Sequence, residues 1–594
     1  MNDSAENNAP SLRQKCFFWC CAAVSLVALL GSNSLFWAEP RIAEAAREIT
    51  VTGRWHPLTI NFVESPDLPV LEVWSVALIF KLGVSEFAAR LPSALAAIAL
   101  LIGTIRLTKQ LFDRRTALLT GWLTLGSFGV LYMGRCCGSG VFSGAFAVWA
   151  VVLYLRGVGR KSFWLALGLC VMLALGVLNR GFGFLWLPGA LLLPWMFVNR
   201  PRLELRVAAA AGVAAIGLYL AWLFTRGEPL TAFSKWLLQL LDLKTSWPAL
   251  KHWCVIWWSR RANPMWMGLV DVPIIMLPWT LITLAAFIGA LYRIRRIARD
   301  ERCLCAGIIL GFLVLAFPAS SLRTDFLPLV PFLALETGVW ALRGEGGRLS
   351  RWAVVATRGA IVAAASFGTV ALVTIPFWLV MLNVTLPMLF WAACVFFGAA
   401  VLVIMMLDCY PTHPLPRLTG LPDPLGSTVL GGTLASICLI SFLLPSLREM
   451  RREKPFLLAV KKDVAERRPK AIVNVGGVDS TALLLFYADI PGRIVTVSER
   501  CDDRDEQDFV GAAAKAEGGR IAVIAPWRER EKTFLLRCAA ASRRRIDVNN
   551  PDRREDTQSG YAAQTPRCVF YLESPAEEGS GGSRKSTNVQ NKGM

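Results

Sequence analysis

The stretch Ser34 to Trp55, SLFWAEPRIAEAAREITVTGRW, directly follows the first strongly apolar run of the chain. It crowds Glu39, Glu44 and Glu48 together with Arg41, Arg47 and Arg54. A carboxylate can take a proton from a reacting hydroxyl, and an arginine fork can grip an anion. The cluster is therefore either the rim of a reaction site or a solvated helix face. Glu44, Arg47 and Glu48 fall at helical spacing and are expected to form a solvated face held by weak surface pairs. Glu39 and Arg41 fall at the membrane boundary and are the candidates for chemistry. Further along, Asp67 stands between Pro66 and Pro69, where it is either an acid for catalysis or a turn residue. Arg180 lies between two apolar runs, where an unpaired cation is costly and marks a functional site by default unless it snorkels to the interface.

These residues need elements to hold them, and the composition says of what kind. The chain has 594 residues, of which 55% are hydrophobic and 18% charged, against about a quarter charged in soluble domains. Apolar runs lie near 16–37, 90–112, 116–133, 139–156, 162–179, 182–198, 204–225, 270–292, 303–320, 325–342, 353–382, 386–407 and 428–446. Runs of roughly twenty residues are long enough to cross the hydrocarbon as helices. The expectation is an α-helical polytopic membrane protein with about 13 transmembrane helices. The first run is too long and too continuous with its neighbours for a cleaved signal peptide.

The net charge of +20 is carried largely by short segments between apolar runs, such as Arg114 and Arg115, or Arg293, Arg295, Arg296, Arg299 and Arg302. With the N-terminus cytoplasmic, the basic short loops all fall inside, as the positive-inside rule requires. No basic-aromatic platform suited to single strands occurs, so nucleic acid is not expected as a partner. Fifteen cysteines show no CxxC pair or zinc-type spacing, and His56, His252 and His413 lie far apart. No metal ligand set is read. No cofactor is required by the sequence, although a divalent metal is left open. Whether Cys501, Cys538 and Cys568 pair is also left open.

The organisation follows from these runs. Residues 1–15 form a cytoplasmic N-terminus and 16–446 a transmembrane domain with longer extracytoplasmic segments at 38–89 and 226–269. The first of these contains an apolar helical piece, LPVLEVWSVALIFKLG, and the second is rich in tryptophan, which favours the headgroup region. Residues 447–574 alternate short β-like runs (AIVNV, RIVTVS, RIAVIAP, RCVFYLES) with helical ones, which predicts a small extracytoplasmic α/β domain. Residues 575–594 are disordered by composition. Within the α/β domain, VNVGGVDSTALLLF at 473–486 resembles the SGGxDS loop of ATP pyrophosphatases. Val475 stands in place of that loop's first serine, however, and the segment lies outside the cytoplasm. A βαβ turn with Asp479 or Ser480 as helix N-cap is the reading kept.

The order of motifs carries a family resemblance. AEPRIAEAAREI is followed by GRW, then SPDLPVLEVW, EFAARLPSALAAIALL, LFDRRTALL, GVLNRGFGFL, PMWMGLVDVPIIMLPW and SLRTDFLPLVPFLALE. Over about residues 16–345 this succession resembles polyprenyl-phosphate-dependent membrane glycosyltransferases of the GT-C type. It is most similar to lipid A aminoarabinose transferases and protein mannosyltransferase-like proteins. The resemblance implies a glycosyltransferase moving a hexosyl or pentosyl group from a polyprenyl-phosphate donor to an envelope lipid, glycan or protein acceptor on the extracytoplasmic face of a bacterial inner membrane. It implies Asp67 and Glu39 as catalytic carboxylates, and Arg41, Arg180 and Arg323 as phosphate-binding cations. The chain departs from the pattern at Ala38, where the family has its first aspartate, and at Ile42, Leu68, Gly140 and Asp325. Those departures leave as alternatives a catalytically degenerate relative that binds or translocates lipid-linked sugars, and an envelope scaffold.

Overall fold

A computed structural model describes residues 10–36, 39–65, 68–157, 162–180, 182–199, 267–316, 323–343, 351–363, 419–421, 425–443, 453–475 and 477–489. Beyond these it describes short strands and helical pieces at 494–497, 506–510, 520–526, 536–538, 545–546 and 567–573, and a few single positions. The chain divides into two compact units. The first, Met1–Thr59 with Glu64–Met450, is helical; the second, Ile60–Val63 with Arg451–Met594, carries the larger sheet.

The helical unit opens with α1 (Leu12–Val27), started by a capping box in which the Ser11 hydroxyl accepts from Gln14 N and the Gln14 amide oxygen from Ser11 N. There follow α2 (Glu39–Thr52), the short strands β1 (Thr59–Ile60) and β2 (Val63–Glu64), whose residues Ile60–Val63 belong to the second unit, and α3 (Val70–Phe80). Asn61 and Phe62 between the strands both have φ of 58°, the left-handed pair that a two-residue type I′ hairpin demands. Next come α4 (Glu86–Leu111), α5 (Arg114–Gly126), α6 (Phe128–Gly134), α7 (Ser139–Gly157), α8 (Phe163–Arg180) and α9 (Trp186–Asn199). After them lie α10 (Met267–Ile275), α11 (Thr280–Tyr292), α12 (Arg299–Ala316), a 3-10 turn at Arg323–Leu329, α13 (Val330–Arg343) and α14 (Leu425–Cys438).

Among the described residues, three helices are long and apolar enough to cross a membrane: Glu86–Leu111, Gly140–Gly157 and Phe163–Arg180. The chain is a helical polytopic membrane protein. Two apolar runs that the sequence presents as single spans are broken instead. Helices α5 and α6 meet at 62° around Ser127, and α10 and α11 at 119° around Pro278. The first break sits at a Gly-Ser pair and the second at a proline, two standard causes of a kink. The run at 325–342 likewise begins as a 3-10 turn, not as an α-helix. The runs at 204–225 (apart from the single helical residue Gly217) and 386–407, and nearly all of the segment 226–269, lie outside the described residues.

The helices close on one apolar core that includes Phe18, Ala97, Trp122, Val148, Leu173, Phe326, Phe332 and Val429. Trp279, fully buried, is seated on glycines. A Cβ at Gly432 would stand 2.3 Å from its ring, and one at Gly126 2.8 Å. Gly307 of α12 faces the backbone of α9, with the Leu191 carbonyl 2.8 Å from where its Cβ would be. Small residues at such crossings let helices approach closely in a bilayer.

The second unit contains α15 (Glu453–Arg467), β3 (Ala471–Val475), α16 (Gly477–Ala488), β4 (Val495–Val497), β5 (Ile521–Pro526), β6 (Arg545–Ile546) and β7 (Arg567–Glu573). Its sheet has the order β4-β3-β5-β7-β6. Strand β3 pairs in parallel with β4 and β5, while β7 runs antiparallel to both β5 and β6. Val473, Val497, Phe509, Val523, Phe534 and Leu572 fill its core. Strand β3, helix α16 and strand β4 make the expected βαβ turn. Helix α16 starts at Gly477, however, so Asp479 and Ser480 lie inside its first turn and neither is the N-cap. Ser480 and Thr481 instead accept from the amide of Asn474, which is wholly buried at the end of β3.

Candidate functional site

The residues around Glu39 form a densely bonded polar cluster of the helical unit. Helix α2 begins at Glu39, whose Oε2 accepts from Phe36 N at 2.8 Å and so ties down the chain entering the helix. Arg90, in the second turn of α4, sets its fork on the same carboxylate. Its Nε donates to Oε1 at 2.9 Å and its Nη2 to Oε2 at 2.8 Å. The remaining guanidinium donors go to the carbonyls of Leu30, Asn33 and Ser34. Cys137 N, from the turn between α6 and α7, donates to Glu39 Oε1 at 2.9 Å. Both side chains are nearly sealed, Glu39 at 3% and Arg90 at 2% exposure. A buried charge pair is tolerable only when its remaining lone pairs and protons are also met, and here five backbone groups meet them.

Along α2 the expected solvated face is absent. Glu44 and Glu48 are buried, and Arg47 forks onto Glu44 with both bonds at 2.8 Å. Thr59 donates to Glu48. The helix packs against α3, so the side that spacing alone assigns to water is covered by protein. Buried charges must then be paired, as these are. Arg41 is half-buried.

The other candidates are distributed as follows. Asp67 and Ala38 lie outside the described residues. Arg180 closes α8 and is half-buried. Arg323 opens the 3-10 turn before α13, and of it only the backbone is described. Leu68 and Gly140 are buried. The structure thus joins Glu39 to Arg90 and to the turn at Cys137, and sets Arg180 at the end of a separate helix. Among the described residues, no group of three or more His, Cys, Asp or Glu side chains is arranged to hold a metal ion.

Two polar side chains not singled out by the sequence stand out here. Glu72, in the first turn of α3, is fully buried, and among the described residues neither carboxylate oxygen has a hydrogen-bond partner. Burial pushes its carboxyl up to about 8. The Cys137 thiol is held well above its usual range, first by burial and then by the neighbouring Glu72 and Glu39 carboxyls. Helix α3, at 11 residues, is too short to cross about 30 Å of hydrocarbon. Asn179, in the last turn of α8, is 4% exposed, and among the described residues neither its amide oxygen nor its amide nitrogen has a partner. The visible signal for Glu72 was a single carboxylate inside the apolar stretch LPVLEVWSVALIFKLG, the kind of residue that is functional by default.

The raised carboxyl of Glu72 has a stability consequence. Between about 4.5, the ordinary glutamate value, and about 8, the folded state keeps a proton that the unfolded state has lost. Stability therefore falls as pH rises through that window, by ~1.4 kcal/mol per pH unit. Glu72→Gln is expected to melt together with the parent near pH 4 and clearly above it at pH 9, as read by intrinsic fluorescence in detergent. Parallel melting curves at both pH values would mean that Glu72 is ionised in the folded protein.

Trp74 of α3 and Trp55, after α2, meet edge to face at 6.4 Å, the Trp74 indole donates to the Trp55 carbonyl, and the Lys81 ammonium lies 5.2 Å over the Trp55 ring. This builds an aromatic shelf from residues within the segment 38–89.

Residues 67–224 match the family model of dolichyl-phosphate-mannose-protein mannosyltransferases. Among solved structures, the chain is similar to ArnT from Cupriavidus metallidurans bound to undecaprenyl phosphate, with a TM-score of 0.66 and 16% identity over 94% of this chain and 97% of that one. The apo state of the same protein matches with a TM-score of 0.65, 17% identity and the same coverage. The resemblance read from the motif order is borne out at the level of fold: the chain has the architecture of GT-C membrane glycosyltransferases.

Proposed function

We propose that the chain is a membrane glycosyltransferase that takes its sugar from a polyprenyl-phosphate donor. The acceptor is an envelope lipid, glycan or protein on the extracytoplasmic face of a bacterial inner membrane, and the C-terminal α/β unit lies on that same side. The observation that carries this reading is the fold shared with ArnT over 94% of this chain and 97% of that one. The family match, beginning at Asp67 and running past Arg180, supports it.

In this reading the acceptor hydroxyl gives its proton to the Asp67 carboxylate while its oxygen forms a bond to the anomeric carbon. The bond from that carbon to the phosphate oxygen breaks, and the polyprenyl phosphate leaves with the electron pair. Arg41, Arg180 and Arg323 meet the charge gathering on the departing phosphate, a role suited to planar bidentate donors. Glu39 has both oxygens engaged by Arg90 and by backbone N–H groups. It contributes by fixing the start of α2, and with it Arg41, at the membrane boundary.

A second reading, a relative that binds or translocates lipid-linked sugars without transfer, is favoured by one feature. The position of the family's lysine beside the second acid is the buried, apolar Leu68. Mass spectrometry of envelope glycolipids and glycoproteins, with and without the protein, separates the two. A transferase leaves at least one glycan missing from the deletion strain; an unchanged glycan profile in every fraction overturns the transferase reading.

A further inference from the structure

An unmet polar atom in a buried site raises the free energy of the empty protein by about 1–3 kcal/mol. A bound group that meets such an atom recovers that cost. The helical unit holds two such side chains on helices that pack against each other, Glu72 on α3 and Asn179 on α8. Among the described residues, neither has a partner on either of its polar atoms.

Their chain neighbours give the pair an orientation. Glu72 follows Asp67 by five positions, and Asn179 immediately precedes Arg180. In the proposed reaction Asp67 serves the anomeric carbon and Arg180 the phosphate. In a glycosyl phosphate those two centres are joined through one oxygen, and the remainder of the sugar ring carries hydroxyls. In sequence, Glu72 and Asn179 thus lie close to the two residues assigned to the ends of that linkage. An uncharged carboxyl offers a donor and an acceptor, and so does a primary amide. Together they match the alternating donors and acceptors of adjacent hydroxyl groups.

We infer that Glu72 and Asn179 form the hydroxyl-binding wall of the donor-sugar subsite. They receive the ring of an uncharged, hydroxyl-rich hexosyl or pentosyl group as it enters between α3 and α8. This rests on the glycosyltransferase reading and adds to it the residues that recognise the sugar. It also specifies the sugar class. Among the described residues no cation bonds the Glu72 carboxyl, and burial disfavours its charged form, so the wall is neutral and suits a neutral glycosyl group better than an acidic one.

The test uses the full chain in lipid nanodiscs with three probes: undecaprenyl phosphate, its mannosyl derivative and its glucuronosyl derivative. Three proteins are compared: the parent, Glu72→Leu and Asn179→Leu. The expected result is that each substitution leaves the affinity for undecaprenyl phosphate unchanged and weakens the mannosyl lipid by about tenfold or more, the worth of one to two hydrogen bonds. The parent should prefer the mannosyl to the glucuronosyl lipid. Thermal stability of the empty protein should hold or rise in both variants, because an unmet polar group is replaced by an apolar one. A variant made only structurally defective would lose affinity for undecaprenyl phosphate as well, and Glu72→Gln, which keeps shape and hydrogen bonding, should then bind the mannosyl lipid within a few-fold of the parent. If the leucine variants bind the mannosyl lipid as tightly as the parent, or Glu72→Gln binds it no better than they do, the subsite is overturned while the transferase reading stands. If the parent binds none of the three lipids, the transferase reading falls and takes the subsite with it.

Discussion

Arg90→Ala is expected to prevent accumulation of a folded protein. The substitution removes the fork that neutralises Glu39 and strands the carbonyls of Leu30, Asn33 and Ser34 in a site nearly closed to solvent. Removing one partner of a buried ion pair is worth ~3–5 kcal/mol, a large part of the 5–15 kcal/mol total typical of a native protein. Arg90→Lys should rescue little. A lysine has three donors radiating from one nitrogen and cannot span both carboxylate oxygens and three carbonyls at once. The measurement is the yield of monodisperse protein by fluorescence-detected size exclusion, followed by thermal melting of whatever survives. An Arg90→Ala protein that melts within a degree or two of the parent would mean the pair is incidental to the fold.

The second large effect is on activity. Asp67→Asn is expected to lower sugar transfer from an undecaprenyl-phosphate donor by 10²–10⁴-fold, the usual contribution of a general base, while the melting temperature stays unchanged. Glu39→Gln should behave in the opposite way. Glu39 accepts from Arg90 and from backbone donors at Phe36 and Cys137. A glutamine amide turned either way would direct its own N–H groups at donors, so the loss appears as stability. If Asp67→Asn retains transfer within a few-fold, Asp67 does not accept the proton. If it abolishes glycan formation without altering lipid binding, a carrier reading becomes untenable.

Much of the architecture could be read from the letters because it depends on long, one-sided compositional signals. The apolar runs at 90–112, 139–156 and 162–179 correspond to α4, α7 and α8. The short runs AIVNV, RIVTVS, RIAVIAP and RCVFYLES contain β3, β4, β5 and β7. The motif succession pointed to the fold that the comparisons then identified. What escaped was decided by tertiary contact. Glu44 and Arg47 would be written the same way on an exposed helix and in a sealed interior, since i,i+3 spacing does not say which side faces water. Arg90 drew no notice because its partner lies 51 positions earlier and its own surroundings look like the start of an ordinary apolar span. The kink at Ser127 was hidden in a continuous apolar run. The one at Pro278 had a proline to announce it. Glu72 was legible in principle, as the only charge within the hydrophobic core of its helix.

The Glu39 knot also sets an order of assembly. Its three parts are made at different times: Arg90 emerges 51 residues after Glu39, and Cys137 98 residues after it. At a synthesis rate of roughly 5–20 residues per second, Glu39 waits about 3–10 seconds for its guanidinium and about as long again for the last backbone donor. During that interval a bare carboxylate must stay in water at the membrane edge. The entrance to α2 therefore cannot settle until the turn ahead of α7 has been delivered, and the boundary that the chain presents first is among the last parts of this region to become rigid.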